Sequence, residues 1–277
     1  MSAEKTVCPI CPHHCALGQG QVGRCRARMA FDGQIVCLNY GHLASLALDP
    51  VEKKPFARWY PGKFILSTGS FGCNLACPFC QNHAISQVGA ELPTEIYNPR
   101  ELLDRARALT DRGNIGIAFT YNEPLIGFEF VRDTARLFRA AGLKTALVTN
   151  GMAEPEKLAE LLPVIDALNI DLKGWHQEFY DWIGGDLATV KANIEQAAAV
   201  SHVEVTTLVL PGKNDSERDM EEEAAWLATL SPELPLHISR YYPRYHTPDI
   251  PATPVETIYH LADVARRHLK YVYEGNV

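Results

Sequence analysis

All eight cysteines of this 277-residue chain lie within its first 80 residues, at positions 8, 11, 15, 25, 37, 73, 77 and 80. A chain built this way cannot be laced together by disulfides along its length, so everything past Cys80 has to hold itself on an apolar core. The opening Met1-Ser2-Ala3-Glu4-Lys5 lacks the apolar stretch of a secretory signal, and no run of about 18 apolar residues follows. The expectation is a cytoplasmic protein with no membrane span, in which thiols stay reduced and act as metal ligands. Their spacing separates an N-terminal group from Cys73, Cys77 and Cys80, so two metal sites are expected.

From Phe64 to Tyr273, short aliphatic or β-branched runs alternate with amphipathic stretches of helical period, the pattern of βα units around a parallel sheet. Strands are predicted at 64–67, 115–120, 144–149, 167–172, 203–210 and 236–240, with a further one at 271–273. Asn98 followed by Pro99 predicts a helix start, with Leu102, Leu103, Ala106 and Leu109 on its buried face and Gly113 as its stop. Thr253, Pro254 and Glu256 predict a capped start for the last helix. Six units over residues 61–277 fit a partial (β/α)6 TIM-like barrel, with a doubly wound sheet as the structural rival. Residues 1–60 read as a small Cys-rich metal-binding module ending in a wrapping arm. A net charge of −7 argues against a nucleic-acid partner, because that affinity needs clustered Lys and Arg.

The chemistry concentrates after the first predicted strand. Cys73-x3-Cys77-x2-Cys80 gathers three thiolates in one short loop, and three thiolates on a [4Fe-4S] cluster leave one iron open to a ligand such as the methionine moiety of S-adenosylmethionine (SAM). A zinc site completed by His83 is the alternative reading of the same spacing. Polar groups follow the later strands, as active-site groups do in such barrels: Asn122-Glu123-Pro124, then Thr149-Asn150-Gly151, then Asp171-Leu172-Lys173. In the third set alternation directs Asp171 and Lys173 to one face. Asn150-Gly151 reads as a turn. The loop Arg240 to His246 suits capping of the pocket, and His237 lies at the wrong end of its strand for chemistry.

Cys8-x2-Cys11-x3-Cys15-x9-Cys25 supplies four thiolates, enough to close a tetrahedral zinc site or to hold an auxiliary cluster. A structural zinc is the preferred reading, since a small module poor in apolar residues needs a staple. His13 and His14 are stand-in ligands, and Cys37 is expected as a buried apolar residue. Lys53, Lys54, Arg58 and Lys63 form the densest basic stretch, suited to a transient acidic electron donor or to a solvated arm.

The three-cysteine loop, with Phe79 as its aromatic, resembles the signature of the radical SAM superfamily. Cys8-Pro9-Ile10-Cys11-Pro12, Gly23-Arg24-Cys25, Glu52-Lys53-Lys54-Pro55, Gly72-Cys73-Asn74, Cys80-Gln81-Asn82 and the ending Gly275-Asn276-Val277 are similar to the radical SAM component of the AmmeMemoRadiSam system. That group is related to the pyruvate formate-lyase activating enzymes. The resemblance implies reductive cleavage of SAM at the Cys73/Cys77/Cys80 cluster to methionine and a 5′-deoxyadenosyl radical that abstracts hydrogen from a small-molecule or protein substrate. It implies Phe79 as the aromatic beside the cofactor, Glu123 with Asn122 toward the SAM ammonium, Asp171 toward the ribose and Lys173 toward the carboxylate. Thr149 stands where the activating enzymes carry an aspartate. A flavodoxin or ferredoxin as electron donor and Memo-like and AMMECR-like proteins as partners are implied as well. A glycyl-radical-enzyme activating enzyme and a non-enzymatic zinc scaffold are the alternatives.

Overall fold

In the computed structural model, which describes residues 5–277, the alternating apolar runs become one eight-stranded sheet. Six parallel strands, Phe64–Gly69, Asn114–Phe119, Lys144–Thr149, Ala167–Asp171, His202–Val209 and Leu236–Arg240, stand in the sheet in the order in which they occur in the chain. A doubly wound sheet would reverse that order at a switch point, so the partial barrel is the fold. Val272–Gly275 adds a last parallel strand at one edge. At the other edge Ser45–Pro50 pairs antiparallel with Phe64–Gly69. The sheet therefore begins inside the stretch that the sequence assigns to the N-terminal module.

Helices pack their apolar faces on the outside of the strands. Pro99–Arg107 starts as expected: the Asn98 side chain accepts from the backbone N–H of Arg100 and Glu101, while Glu101 reaches back to the Asn98 N–H. The last helix, Val255–Ala265, corrects the sequence reading, because its N-cap position is Pro254 and no side chain caps it. Thr253 is fully buried, and its hydroxyl donates to the Val209 carbonyl at 2.6 Å, so it ties the helix entry to the fifth barrel strand instead. No described helix is long and apolar enough to cross a membrane.

The amino ends of the barrel strands are closed by the chain that precedes them. Val51, Phe56 and Trp59 pack on Ile65, Ala118, Ala146 and Ala167 as a buried floor, where small residues on three strands leave room for the rings. Glu204 fixes this plug. Its carboxylate accepts from the backbone N–H of Ala57 (2.9 Å) and Arg58 (2.8 Å) and from His202 (2.9 Å) and His237 (2.6 Å). Burial alone would raise the Glu204 carboxyl, yet these four donors hold it at about 2. His237 is thus structural, as its place on the strand predicts. Two short antiparallel ribbons, Thr6–Val7 with Ala16–Leu17 and Arg28–Phe31 with Gln34–Cys37, make up the N-terminal module.

Candidate active site

The site is assembled on loops at the carboxyl ends of the strands. Gly69 ends the first strand, and the three-cysteine loop then runs across the barrel mouth, clamped by four hydrogen bonds from three segments. Gly72 N–H donates to the Ile85 carbonyl (2.9 Å), Ala76 N–H to Ile183 (2.8 Å), the Gln87 amide to Leu75 (3.1 Å) and His246 N–H to Pro78 (2.8 Å). The last of these comes from the loop after the sixth strand, which caps the three-cysteine loop as the sequence suggests. Gly72 is required at its place: φ is +85°, and a Cβ there would stand 2.4 Å from the Cys25 carbonyl oxygen.

Three soft thiolates on a rigid loop are the donor set of an iron–sulfur cluster. Burial pushes the free Cys73 thiol well above its ordinary pKa and that of Cys77 up to about 12. Ligation would reverse this, since a metal stabilises the thiolate, and Lys173 adds positive charge near Cys77. The His83 ring, the fourth ligand of the zinc alternative, stacks on Tyr245 at 4.4 Å with Nδ1 3.1 Å from the Cys80 carbonyl.

Glu123 is 2% exposed and lies between the loops after the second and third strands. Oε1 accepts from Leu125 N–H (2.9 Å) and the Thr149 hydroxyl (2.7 Å), and Oε2 accepts from Asn150 N–H (2.7 Å). Three of roughly four acceptor sites are filled, which leaves one on Oε2. Burial pushes the carboxyl up to about 7 despite those bonds, because no cation stands beside it. Asn122 holds the same turn from the other side, bonding the carbonyls of Phe71 (3.1 Å) and Gly72 (3.0 Å). Opposite, the Lys173 ammonium lies 2.8 Å from Asp171. Burial works against that ammonium, but Asp171, Cys77 and Cys80 outweigh it and raise its pKa.

Phe79 lies between Cys77 and Cys80 in the loop. It is 4% exposed and packs on Phe179 (6.0 Å) and Trp182 (5.5 Å), so it forms a wall behind the loop. In the basic stretch Lys54 is buried against Asp49 (2.8 Å), whereas Lys53, Arg58 and Lys63 are exposed, Arg58 lying on the Tyr271 ring at 4.0 Å. Cys37 is half-buried and its thiol donates to the Asn39 carbonyl oxygen at 3.0 Å.

Three polar residues escaped the sequence reading. Asn150 bonds Asn74 (3.0 Å) and approaches the Cys73 sulfur at 3.6 Å; Asn74 in turn bonds the Met152 carbonyl (2.6 Å). The fully buried Tyr180 accepts from Lys173 N–H at 3.1 Å. The available signal was an Asn directly after Cys73 in an otherwise apolar loop, a residue type that is buried only with partners.

Residues 68–224 match the family model described as the Radical SAM superfamily. An uncharacterised protein of Methanocaldococcus jannaschii is 39% identical, over 99% of this chain and 82% of its own length. A pyruvate formate-lyase-activating enzyme of Clostridium pasteurianum is 30% identical over 50% of this chain, which spans 60% of that enzyme. Among solved structures, a radical SAM methyltransferase from Sphaerobacter thermophilus shares the fold with a TM-score of 0.61 at 17% identity, over 78% of this chain and 67% of that one.

Proposed function

The chain belongs to the radical SAM superfamily, and we propose that it uses the Cys73/Cys77/Cys80 loop to cleave SAM reductively and start hydrogen abstraction on a substrate held in the barrel mouth. The observation that carries this reading is the convergence of the three-thiol loop with a buried, cation-free Glu123 on one side and the Asp171–Lys173 pair on the other. When bound, the [4Fe-4S] cluster and SAM supply one-electron cleavage of a sulfonium to methionine and a 5′-deoxyadenosyl radical.

The protein's part is position and charge. The last acceptor site of Glu123, with the carbonyls of its turn, suits an ammonium, and binding that cation would draw the carboxyl back to its ionised form. Asn122 keeps the turn in register. Lys173 offers an ammonium to the carboxylate of SAM, and Asp171 accepts from ribose hydroxyls. Phe79, Phe179 and Trp182 exclude water from that flank. Cys8, Cys11, Cys15 and Cys25 of the N-terminal module take a second metal. A low-potential flavodoxin or ferredoxin is the electron source, and the substrate reading follows the AmmeMemoRadiSam resemblance, with Memo-like and AMMECR-like proteins as partners.

The experiment is anaerobic reconstitution of wild type and Cys77→Ala, with 5′-deoxyadenosine measured after dithionite reduction. Wild type should produce it and the variant should not. Equal production by both would remove the assignment.

A further inference from the structure

Cys8, Cys11, Cys15 and Cys25 line one cavity, and Arg28 and Ile126 line it with them. Cys8, Cys11 and Cys25 are buried. Four thiolates in one cavity are a donor set for a zinc ion or for a [4Fe-4S] cluster.

Arg28 is the second observation. It is 3% exposed, and its Nη atoms are taken by the Ile126 carbonyl (2.7 Å) and by Glu129 (2.9 and 2.5 Å). Its Nε–H is buried and has no partner. An orphaned donor in a sulfur-lined cavity costs about 1–3 kcal/mol unless something accepts from it. Inorganic sulfides of a cluster do so, and such hydrogen bonds tune its potential.

The third observation is contact between the two sulfur sites. The Cys25 carbonyl lies so close to Gly72, the residue before Cys73, that a Cβ there would clash. The carbonyl of Asn74, the residue after Cys73, meets His13 Nε2 at 2.9 Å. Both flanks of one catalytic ligand therefore touch the N-terminal site.

We infer that Cys8, Cys11, Cys15 and Cys25 hold a second [4Fe-4S] cluster, hydrogen-bonded by Arg28, that relays electrons to the Cys73/Cys77/Cys80 site. A flavodoxin- or ferredoxin-class protein gives it one electron and is oxidised by one; the same electron then passes to the catalytic site, and the relay returns to its resting oxidation state. This rests on the proposed function for its acceptor but not for its own existence.

The test is iron, acid-labile sulfide and zinc content, with EPR of the reduced protein, on full-length chain purified anaerobically. Wild type should hold about eight irons and no zinc, as two four-iron clusters require. A Cys73→Ala/Cys77→Ala/Cys80→Ala variant should keep about four irons and an EPR signal. Arg28→Gln should keep the iron of wild type but shift the midpoint potential of the cluster that survives in the triple variant. One zinc with about four irons, all lost in the triple variant, would overturn the second cluster while leaving the proposed function standing. Four irons that persist in the triple variant and are lost in Cys11→Ala/Cys25→Ala would support this cluster and overturn the catalytic one. An unchanged potential in Arg28→Gln would overturn the role of Arg28.

Discussion

Two buried glutamates sit at opposite ends of the barrel and behave in opposite ways. Glu204, at the floor, is surrounded by two imidazoles and two backbone N–H groups, and its carboxyl is held at about 2. Glu123, at the mouth, has three neutral donors and is pushed up to about 7. Both are almost without solvent, but Glu204 accepts from four donors, two of them imidazoles, and Glu123 from three. A carboxylate whose neighbours already meet its charge is finished structure. One that is buried and still lacks a cation marks a place where a cation is expected to arrive.

Glu204→Ala should have the largest effect, a loss of about 3–5 kcal/mol in denaturant unfolding, because it orphans four buried or half-buried donors at once. If that variant were as stable as wild type, the floor carboxylate would not be structural. Glu123→Gln should fold but bind SAM at least tenfold more weakly on reconstituted protein, about 1.4 kcal/mol. Unchanged affinity would mean that the ammonium binds elsewhere.

Stability against pH should separate the two with opposite signs. Glu204 has a folded pKa below its unfolded one, so its contribution is present above about pH 4.5 and is lost as pH falls toward 2. Glu123 has a folded pKa above its unfolded one. Between about pH 4.5 and 7 the native form of SAM-free protein holds a proton that the unfolded chain has released, so stability falls as pH rises, by about 1.4 kcal/mol per unit. The difference between wild type and each Gln variant, followed from pH 3 to 8, checks both slopes; parallel curves would erase the distinction. Thr149→Val should have the smallest effect, a few-fold weaker SAM binding, since it removes one of three donors to Glu123.

Much of this was legible in the chain. The six barrel strands lie within a residue or two of where the aliphatic and β-branched runs put them, and the polar sets at 122–123 and 171–173 could be placed because they follow strands. What could not be read were pairings between distant segments. Arg28 meets Glu129 and Asn150 meets Asn74 across spans that no local pattern encodes. Thr253 looked like a cap because its neighbours fit one, yet a tertiary acceptor on Val209 took its hydroxyl. Lys54 looked like surface charge, and only the fold brings Asp49 and the Tyr121 ring to cover it.

The floor built by Val51, Phe56 and Trp59 has a consequence for access. A barrel closed at its lower end is a cul-de-sac. Whatever lies deep in it has to come and go past the cofactor loops above. On the proposed function, the same mouth serves substrate and cofactor alike.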